Sequence, residues 1–73
     1  MQTWEIALPN YENSHITIGL TLLGRPYLKA TNLPWVEESY HSTKRELMLL
    51  DDVHKCAYFI TIKGKEAVLE VLA

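Results

Sequence analysis

The chain has 73 residues and one cysteine, so it fits a single small domain over residues 1–73 with no internal disulfide. Apolar residues make up 48% and charged residues 22%, a globular balance that excludes intrinsic disorder. The net charge of −2 disfavours a nucleic-acid partner, and the longest purely apolar run, residues 47–50, is too short to cross a membrane.

The first part of the chain alternates between apolar and polar side chains, the period of two that is typical of strands. Residues 3–8 predict a first strand, and turn-forming residues over 9–14 end it. Residues 15–22 alternate more regularly and predict a second strand. We expect these two strands to form an antiparallel hairpin because their polar connection is short. Residues 27–30 predict a brief third strand.

Residues 34–50 predict a helix with Asn32 as its N-cap. Apolar and neutral residues recur there at spacings of four and three, which places them on one stripe: Val36, Tyr40, Thr43, Leu47 and Leu50. Residues 43–46 also have the pattern of a capping box, which could start a second, shorter helix after a break near His41 and Ser42. The sequence leaves one helix or two open.

The C-terminal segments 56–62 and 67–73 predict a β-hairpin. Gly64 and Lys65 suit the centre of a type II′ turn, which requires glycine first. Lys63 then faces Glu66 as an opposite-charge pair. The same register collects apolar residues on one face, which we expect to be buried: Tyr58, Ile60, Ile62, Ala67, Leu69 and Val71.

The opposite face of this hairpin is also apolar, because Phe59, Val68 and Leu72 lie on it. One helix covers only one face of a sheet, so we expect a partner to cover the other. A homodimer is the expected arrangement, formed by pairing of the strand edges through residues 67–72 or by stacking of the two faces. A different protein covering the same surface remains an open alternative.

The predicted fold class is therefore α+β, a small antiparallel sheet in the order β-β-(β)-α-β-β with one helix packed on one face. The alternative is a winged helix-turn-helix. There, a helix broken at Ser42 would supply the helix-turn-helix, and the Lys63-Gly64-Lys65 tip resembles the wing that contacts DNA phosphates.

No residue pattern predicts a catalytic, cofactor or metal site, so we expect no enzyme and no cofactor. His54 and Cys56 have side chains that bind zinc, but structural zinc sites usually bring paired hooks of ligands. We therefore expect Cys56 to be a small core residue and His54 to lie in a solvated loop. The three glycines form no phosphate-binding loop.

The hypothesis that remains is a non-enzymatic protein-interaction module: a small regulator, inhibitor or assembly subunit that occupies a partner protein's surface. Inhibitors encoded by phages and mobile elements work in this way, and such an origin is an expectation by analogy. A lone cysteine without a signal-peptide pattern predicts the cytoplasm. The alternative function is a winged-helix DNA-binding regulator. The candidate partner-binding residues are Phe59, Val68, Leu72, Tyr11, Lys63 and Lys65.

Overall fold

A computed structural model describes residues 2–73 as two antiparallel β-sheets with one short helix that contacts both. The first sheet has three strands in chain order: β1 (Thr3–Ile6), β2 (Ile16–Leu20) and β3 (Pro26–Thr31). Helix α1 (Pro34–Ser39) follows. The second sheet has four strands in chain order: β4 (Tyr40–Ser42), β5 (Glu46–Asp51), β6 (Cys56–Lys63) and β7 (Glu66–Leu72).

The prediction of a helix over residues 34–50 is wrong beyond Ser39. The chain turns extended at Tyr40, and β4 pairs with β5 so that Tyr40 faces Leu49. In β5 the inward residues Leu47 and Leu49 alternate with the outward residues Met48 and Leu50, which are also apolar. The sequence therefore does not show the apolar-polar alternation that marks a strand. Apolar residues on both faces of an inner strand therefore produced a helix-like spacing by coincidence.

The apparent capping box at residues 43–46 forms a hairpin turn. The Thr43 hydroxyl accepts a hydrogen bond from the Glu46 N–H at 3.2 Å, as an N-cap would, but the chain continues as β5. Asn32 does not cap α1 either, since the N-cap position is Leu33. The Asn32 side chain instead accepts from the His15 N–H and donates to the carbonyl oxygen of Asn13, which fixes the preceding loop.

The predicted architecture of one sheet with one helix across a face is therefore wrong in its layers. One helix does follow three strands, but it has six residues and cannot cover a sheet. The first sheet covers the inner face of the second sheet instead. The winged helix-turn-helix alternative is also wrong, because α1 is the only helix within residues 2–73.

The core lies between the two sheets and receives side chains from both. Its fully buried apolar residues are Leu8, Ile16, Ile18, Val36, Leu47, Leu49, Tyr58 and Ile60. Burying one such side chain contributes roughly 1.5–3 kcal/mol, so the packing of the two sheets against each other supplies much of the stability of the fold. Two hydrogen bonds join the sheet margins: Trp4 Nε1 donates to the Lys65 carbonyl at 3.0 Å, and Ser42 Oγ donates to that of Pro26 at 2.9 Å.

The second predicted strand ends earlier than the alternation suggested. β2 stops at Leu20, and residues 21–25 form a turn in which the Thr21 N–H donates to the Arg25 carbonyl. Leu22 and Leu23 are therefore fully exposed at the tip. The first strand is also shorter than predicted, since β1 ends at Ile6. The third strand is confirmed and extends over Pro26–Thr31.

The C-terminal hairpin is confirmed in both register and turn. Lys63 pairs with Glu66, Ile60 with Leu69, and Tyr58 with Val71. Gly64 has a φ of 61°, whereas Lys65 does not adopt a positive φ. A positive φ at the first central residue alone is the signature of a type II′ turn. This local geometry fixes which side chains share a face. Of the six expected to be buried, Tyr58 and Ile60 are fully buried, whereas Val71 near the end of β7 is 42% exposed, so the expected burial is wrong there.

Replacing Gly64 tests this turn. A side chain at a φ of 61° meets its own backbone, so Gly64→Ala should lower the free energy of unfolding by about 1 kcal/mol. Lys65→Ala is the matched control and should leave stability within about 0.5 kcal/mol. Urea denaturation measures both. Equal stability of the two variants would contradict the assigned turn.

Candidate functional site

The most constrained polar group among residues 2–73 is the carboxylate of Asp51, at the end of β5. It shares the inward face of the strand with Leu47 and Leu49 and is 3% exposed. It accepts the Tyr58 hydroxyl at 2.7 Å and His54 Nδ1 at 2.9 Å. The backbone N–H groups of Val53 and His54 each donate to its other oxygen at 3.1 Å. Four donors thus offset the cost of burying the charge.

The turn between β5 and β6 is organised by this carboxylate. Asp51 accepts from backbone groups two and three residues ahead, the pattern by which Asp side chains stabilise turns. Lys55 completes the reversal in the left-handed region, with a φ of 54°. His54 lies in this exposed turn, as the sequence suggested, and its ring is in addition hydrogen-bonded to Asp51. Its ring meets Tyr11 edge-on, with centroids 5.1 Å apart.

Two further segments, the loop after β1 and helix α1, converge on the Asp51–Tyr58 pair. From the loop after β1, Asn10 Nδ2 donates to the Tyr58 hydroxyl at 2.9 Å and lies 3.8 Å from the Cys56 sulfur. From α1, the Trp35 ring lies 5.4 Å from that of Tyr11. Trp35 Nε1 is buried and has no hydrogen-bond partner within residues 2–73. We use the name Asp51 network for six residues: Asn10, Tyr11, Trp35, Asp51, His54 and Tyr58.

The network shifts the pKa values of its acidic members in opposite directions. Burial alone would raise the pKa of Asp51. The hydrogen bonds from Tyr58 and from the His54 backbone and ring, together with the nearby Tyr11 hydroxyl, outweigh burial and lower that pKa to about 2. Burial and the nearby Asp51 charge raise the pKa of Tyr11 to about 12, and burial also raises that of Tyr58. At neutral pH the Asp51 side chain is therefore ionised and the phenols of Tyr11 and Tyr58 are protonated, which suits a network that stabilises the fold.

The candidate partner-binding residues fall into three places. Phe59, Val68 and Leu72 lie on the side of the second sheet that points away from the first sheet, as the register predicted. This side, the outer face, carries six apolar side chains: Met48, Leu50, Ala57, Phe59, Val68 and Leu72. Val68 is 38% and Leu72 46% exposed, and Phe59 is half-buried.

The charged candidates and Tyr11 lie at opposite ends of the second sheet. Lys63 and Lys65 are exposed at the β6–β7 tip, beside the β4–β5 turn that carries Lys44 and Arg45. Tyr11 lies at the other end, half-buried in the Asp51 network. Whether these six residues bind a partner remains a prediction.

A groove at the Tyr11 end adjoins the outer face. It has a volume of about 330 Å³, and Tyr11, Trp35, Glu38, Asp52 and Val53 line it together with Leu50. A second depression, of about 390 Å³, runs from Leu50 and Asp52 across to Ala57, Phe59 and Leu72. Leu50 and Asp52 line both depressions, so the two form one continuous surface. We call the part of this surface at the Tyr11 end the acidic groove.

Sequence reasoning missed the Asp51 network. A signal was present, because Leu47, Leu49 and Asp51 alternate at a period of two. The helix assigned to residues 34–50 hid this alternation and left Asp51 as a solvated residue. The contacts of Asn10 and Trp35 had no sequence signal, since they join segments far apart in the chain.

Comparisons with known proteins add nothing to this geometry. No family model, no curated protein and no solved structure matches the chain. Among the described residues, no group of three or more His, Cys, Asp and Glu side chains is placed to hold a metal ion. The helix in that part of the chain is neither long nor apolar enough to cross a bilayer.

Acid titration tests the Asp51 network. Folding lowers the pKa of Asp51 from 3.8 to about 2, so the unfolded chain takes up the proton first as the pH falls. The carboxylate therefore stabilises the fold fully above about pH 4, and this contribution is lost as the pH falls through about 2. The stability gap between wild type and Asp51→Asn should shrink by about 2 kcal/mol over that range. Asp52→Asn, an exposed neighbour, is the control, and a gap independent of pH would contradict the network.

Removing one hydroxyl tests the central bond. Tyr58→Phe keeps the ring volume but takes one donor from the Asp51 carboxylate, so it should cost about 1.5–3 kcal/mol of unfolding free energy. It should also raise the pKa of Asp51 and move acid unfolding to higher pH. Tyr40→Phe is the control, because within residues 2–73 the Tyr40 side chain forms no hydrogen bond. Thermal denaturation at several pH values would refute the assignment if both variants behaved alike.

Proposed function

We propose that the protein is a non-enzymatic interaction module that covers part of a partner protein's surface with its outer face. The observation that carries this proposal is the apolar character of that face across three neighbouring strands. Leu50, Val68 and Leu72 are each 38–46% exposed there. Contiguous exposed apolar surface of this kind marks protein interaction sites in soluble domains.

The two faces of the second sheet differ in what covers them. The first sheet and Val36 of α1 cover the inner face except at its β7 margin, where Val71 is 42% exposed. Within residues 2–73, no element packs over the outer face. Its apolar residues are therefore available to a second molecule. Because each is already partly buried within the sheet, covering it would contribute roughly half of the 1.5–3 kcal/mol of complete burial, before the costs of association.

The distribution of polar residues on this face is that of an interface. Across its middle row, Met48 and Phe59 lie at the centre, with His41 and Glu70 on the two edge strands. Interface cores are depleted in charge, and their rims are polar and wet. Phe59 is the aromatic side chain at the centre of the patch, where binding energy is usually concentrated.

In this role the chain acts as a small regulator, inhibitor or assembly subunit. A phage or mobile-element origin is proposed only by analogy with inhibitors of that kind. Its one cysteine, Cys56, is unpaired, which favours a reducing compartment such as the cytoplasm. A winged-helix DNA-binding function does not fit this fold. Its mechanism needs a helix-turn-helix, and residues 2–73 contain α1 as their single helix.

Capture with matched variants tests the proposal. Wild type, the outer-face variant Phe59→Asp/Val68→Asp and the control Leu22→Asp/Leu23→Asp are each tagged and expressed in the native host with an untagged second copy. The control makes the same change of charge on two apolar residues that are exposed at the β2–β3 turn. We expect wild type and control to retain the same stoichiometric protein, and the outer-face variant to lose it at least about tenfold.

Two results would overturn the proposal. One is the recovery of neither a second copy nor any other stoichiometric protein with wild type. The other is loss of the partner with the Leu22/Leu23 control alone, which would move the binding surface to the β2–β3 turn. Far-UV circular dichroism of the purified variants shows whether each is folded.

A further inference from the structure

We infer that the occupant of the outer face is a second copy of this chain, stacked face to face and antiparallel, so that the β6–β7 tip of each copy lies over the acidic groove of the other. This inference rests on the proposed function and names its partner. The reason is the distribution of charge along the second sheet.

One end of the second sheet is basic. The β4–β5 turn and the β6–β7 tip meet there, and Lys44, Arg45 and Lys63 line one groove of about 510 Å³. Four cations, Lys44, Arg45, Lys63 and Lys65, stand against two carboxylates, Glu46 and Glu66. The formal excess is therefore +2, placed mainly on exposed side chains.

The opposite end of the second sheet is acidic. Glu38, Asp51 and Asp52 line the acidic groove, and Lys55 is the cation beside them. Three carboxylates against one cation leave a formal −2. Strand β6 runs from one end to the other, and its eight residues span roughly 23 Å. The separation exceeds the Debye length at physiological salt, so the two ends act as distinct charges.

The acidic groove has the chemistry to take an ammonium group. The rings of Tyr11 and Trp35 lie 5.4 Å apart in its wall, and the only described cation nearby is Lys55, which lines the adjoining depression on the outer face. Aromatic faces attract cations, and the carboxylates of Glu38 and Asp52 add a direct charge pair. Lys63 and Lys65 are exposed on a tight turn and can reach outward.

The charges at the two ends of the sheet favour antiparallel over parallel stacking. If two outer faces stack with their strands parallel, each basic tip meets the partner's basic tip, and the acidic ends also meet. If they stack with strands antiparallel, each basic tip meets an acidic groove, and the twofold axis makes this contact twice. In both cases Phe59 and Met48 fill the centre, while Glu70 lies on edge strand β7 with access to water.

Pairing through the free edge of β7 fits the structure less well. It would extend the second sheet sideways and leave the outer face of both copies exposed. The edge is also partly occupied, because β1 contacts β7 and Trp4 bonds to the Lys65 carbonyl. A foreign partner would need an apolar face with charges of opposite sign about 23 Å apart. The chain itself already carries this pattern.

Charge reversal tests the inference by sedimentation equilibrium. The tip variant is Lys63→Glu/Lys65→Glu, the groove variant is Glu38→Lys/Asp52→Lys, and a third chain carries all four changes. We expect wild type to dimerise at micromolar concentration and the tip and groove variants each to raise the dimer Kd by about tenfold or more. The chain with all four changes restores opposite charges and should return to within about threefold of wild type. Lys29→Glu, on the first sheet, is the control for charge alone.

Each remaining outcome contradicts the inference in a specific way. A wild type that is monomeric at 100 micromolar overturns it, while the proposed function stands if capture retains a different protein through the outer face. A dimer that survives both double variants, or that survives Phe59→Asp/Val68→Asp, places the interface elsewhere. A four-change chain as weak as the double variants shows that tip and groove do not meet.

Discussion

The arrangement of this protein depends on the burial of one carboxylate. Asp51 is removed from water almost completely, which is costly for a charge unless strong donors surround it. Tyr58, His54 and two backbone groups supply those donors, and Asn10 and Tyr11 complete the environment. Because these residues come from the loop after β1 and from the β5–β6 turn with the β6 strand that follows it, satisfying one charge holds two distant segments in a single geometry.

That geometry has a consequence for the second sheet. With the loop after β1 tied to Tyr58, the first sheet is drawn over the inner face, where Ile16 and Ile18 pack against Leu49 and Ile60. The helix ends at Ser39 and covers neither face completely. Within residues 2–73 the outer face is therefore left uncovered, and its apolar side chains stay partly exposed.

Charge and apolar surface are organised along the same axis. The strands carry the apolar residues of the outer face, and the turns at their two ends carry charges of opposite sign. The Asp51 network shapes the acidic end, since the turn it organises also presents Asp52 and Val53. The Asp51 network and the proposed binding surface thus share the β5–β6 turn. The stability of the fold and the shape of the acidic groove therefore depend on the same turn.

The sequence by itself determined what depends on local geometry. Gly64 and the alternation on either side of it specified the register of the C-terminal hairpin. That register placed Phe59, Val68 and Leu72 on one face. These features need only a turn and a period of two, which neighbouring residues encode.

Tertiary structure decided the rest. Residues 47–50 are apolar on both sides of β5, so only pairing with β4 and β6 determines that this segment is a strand and not a helix. The Asp51 site joins Asn10 to Tyr58 across 48 positions, and no local pattern encodes such a contact. A buried charge is stable only where its donors are assembled, and that assembly exists only in the folded chain.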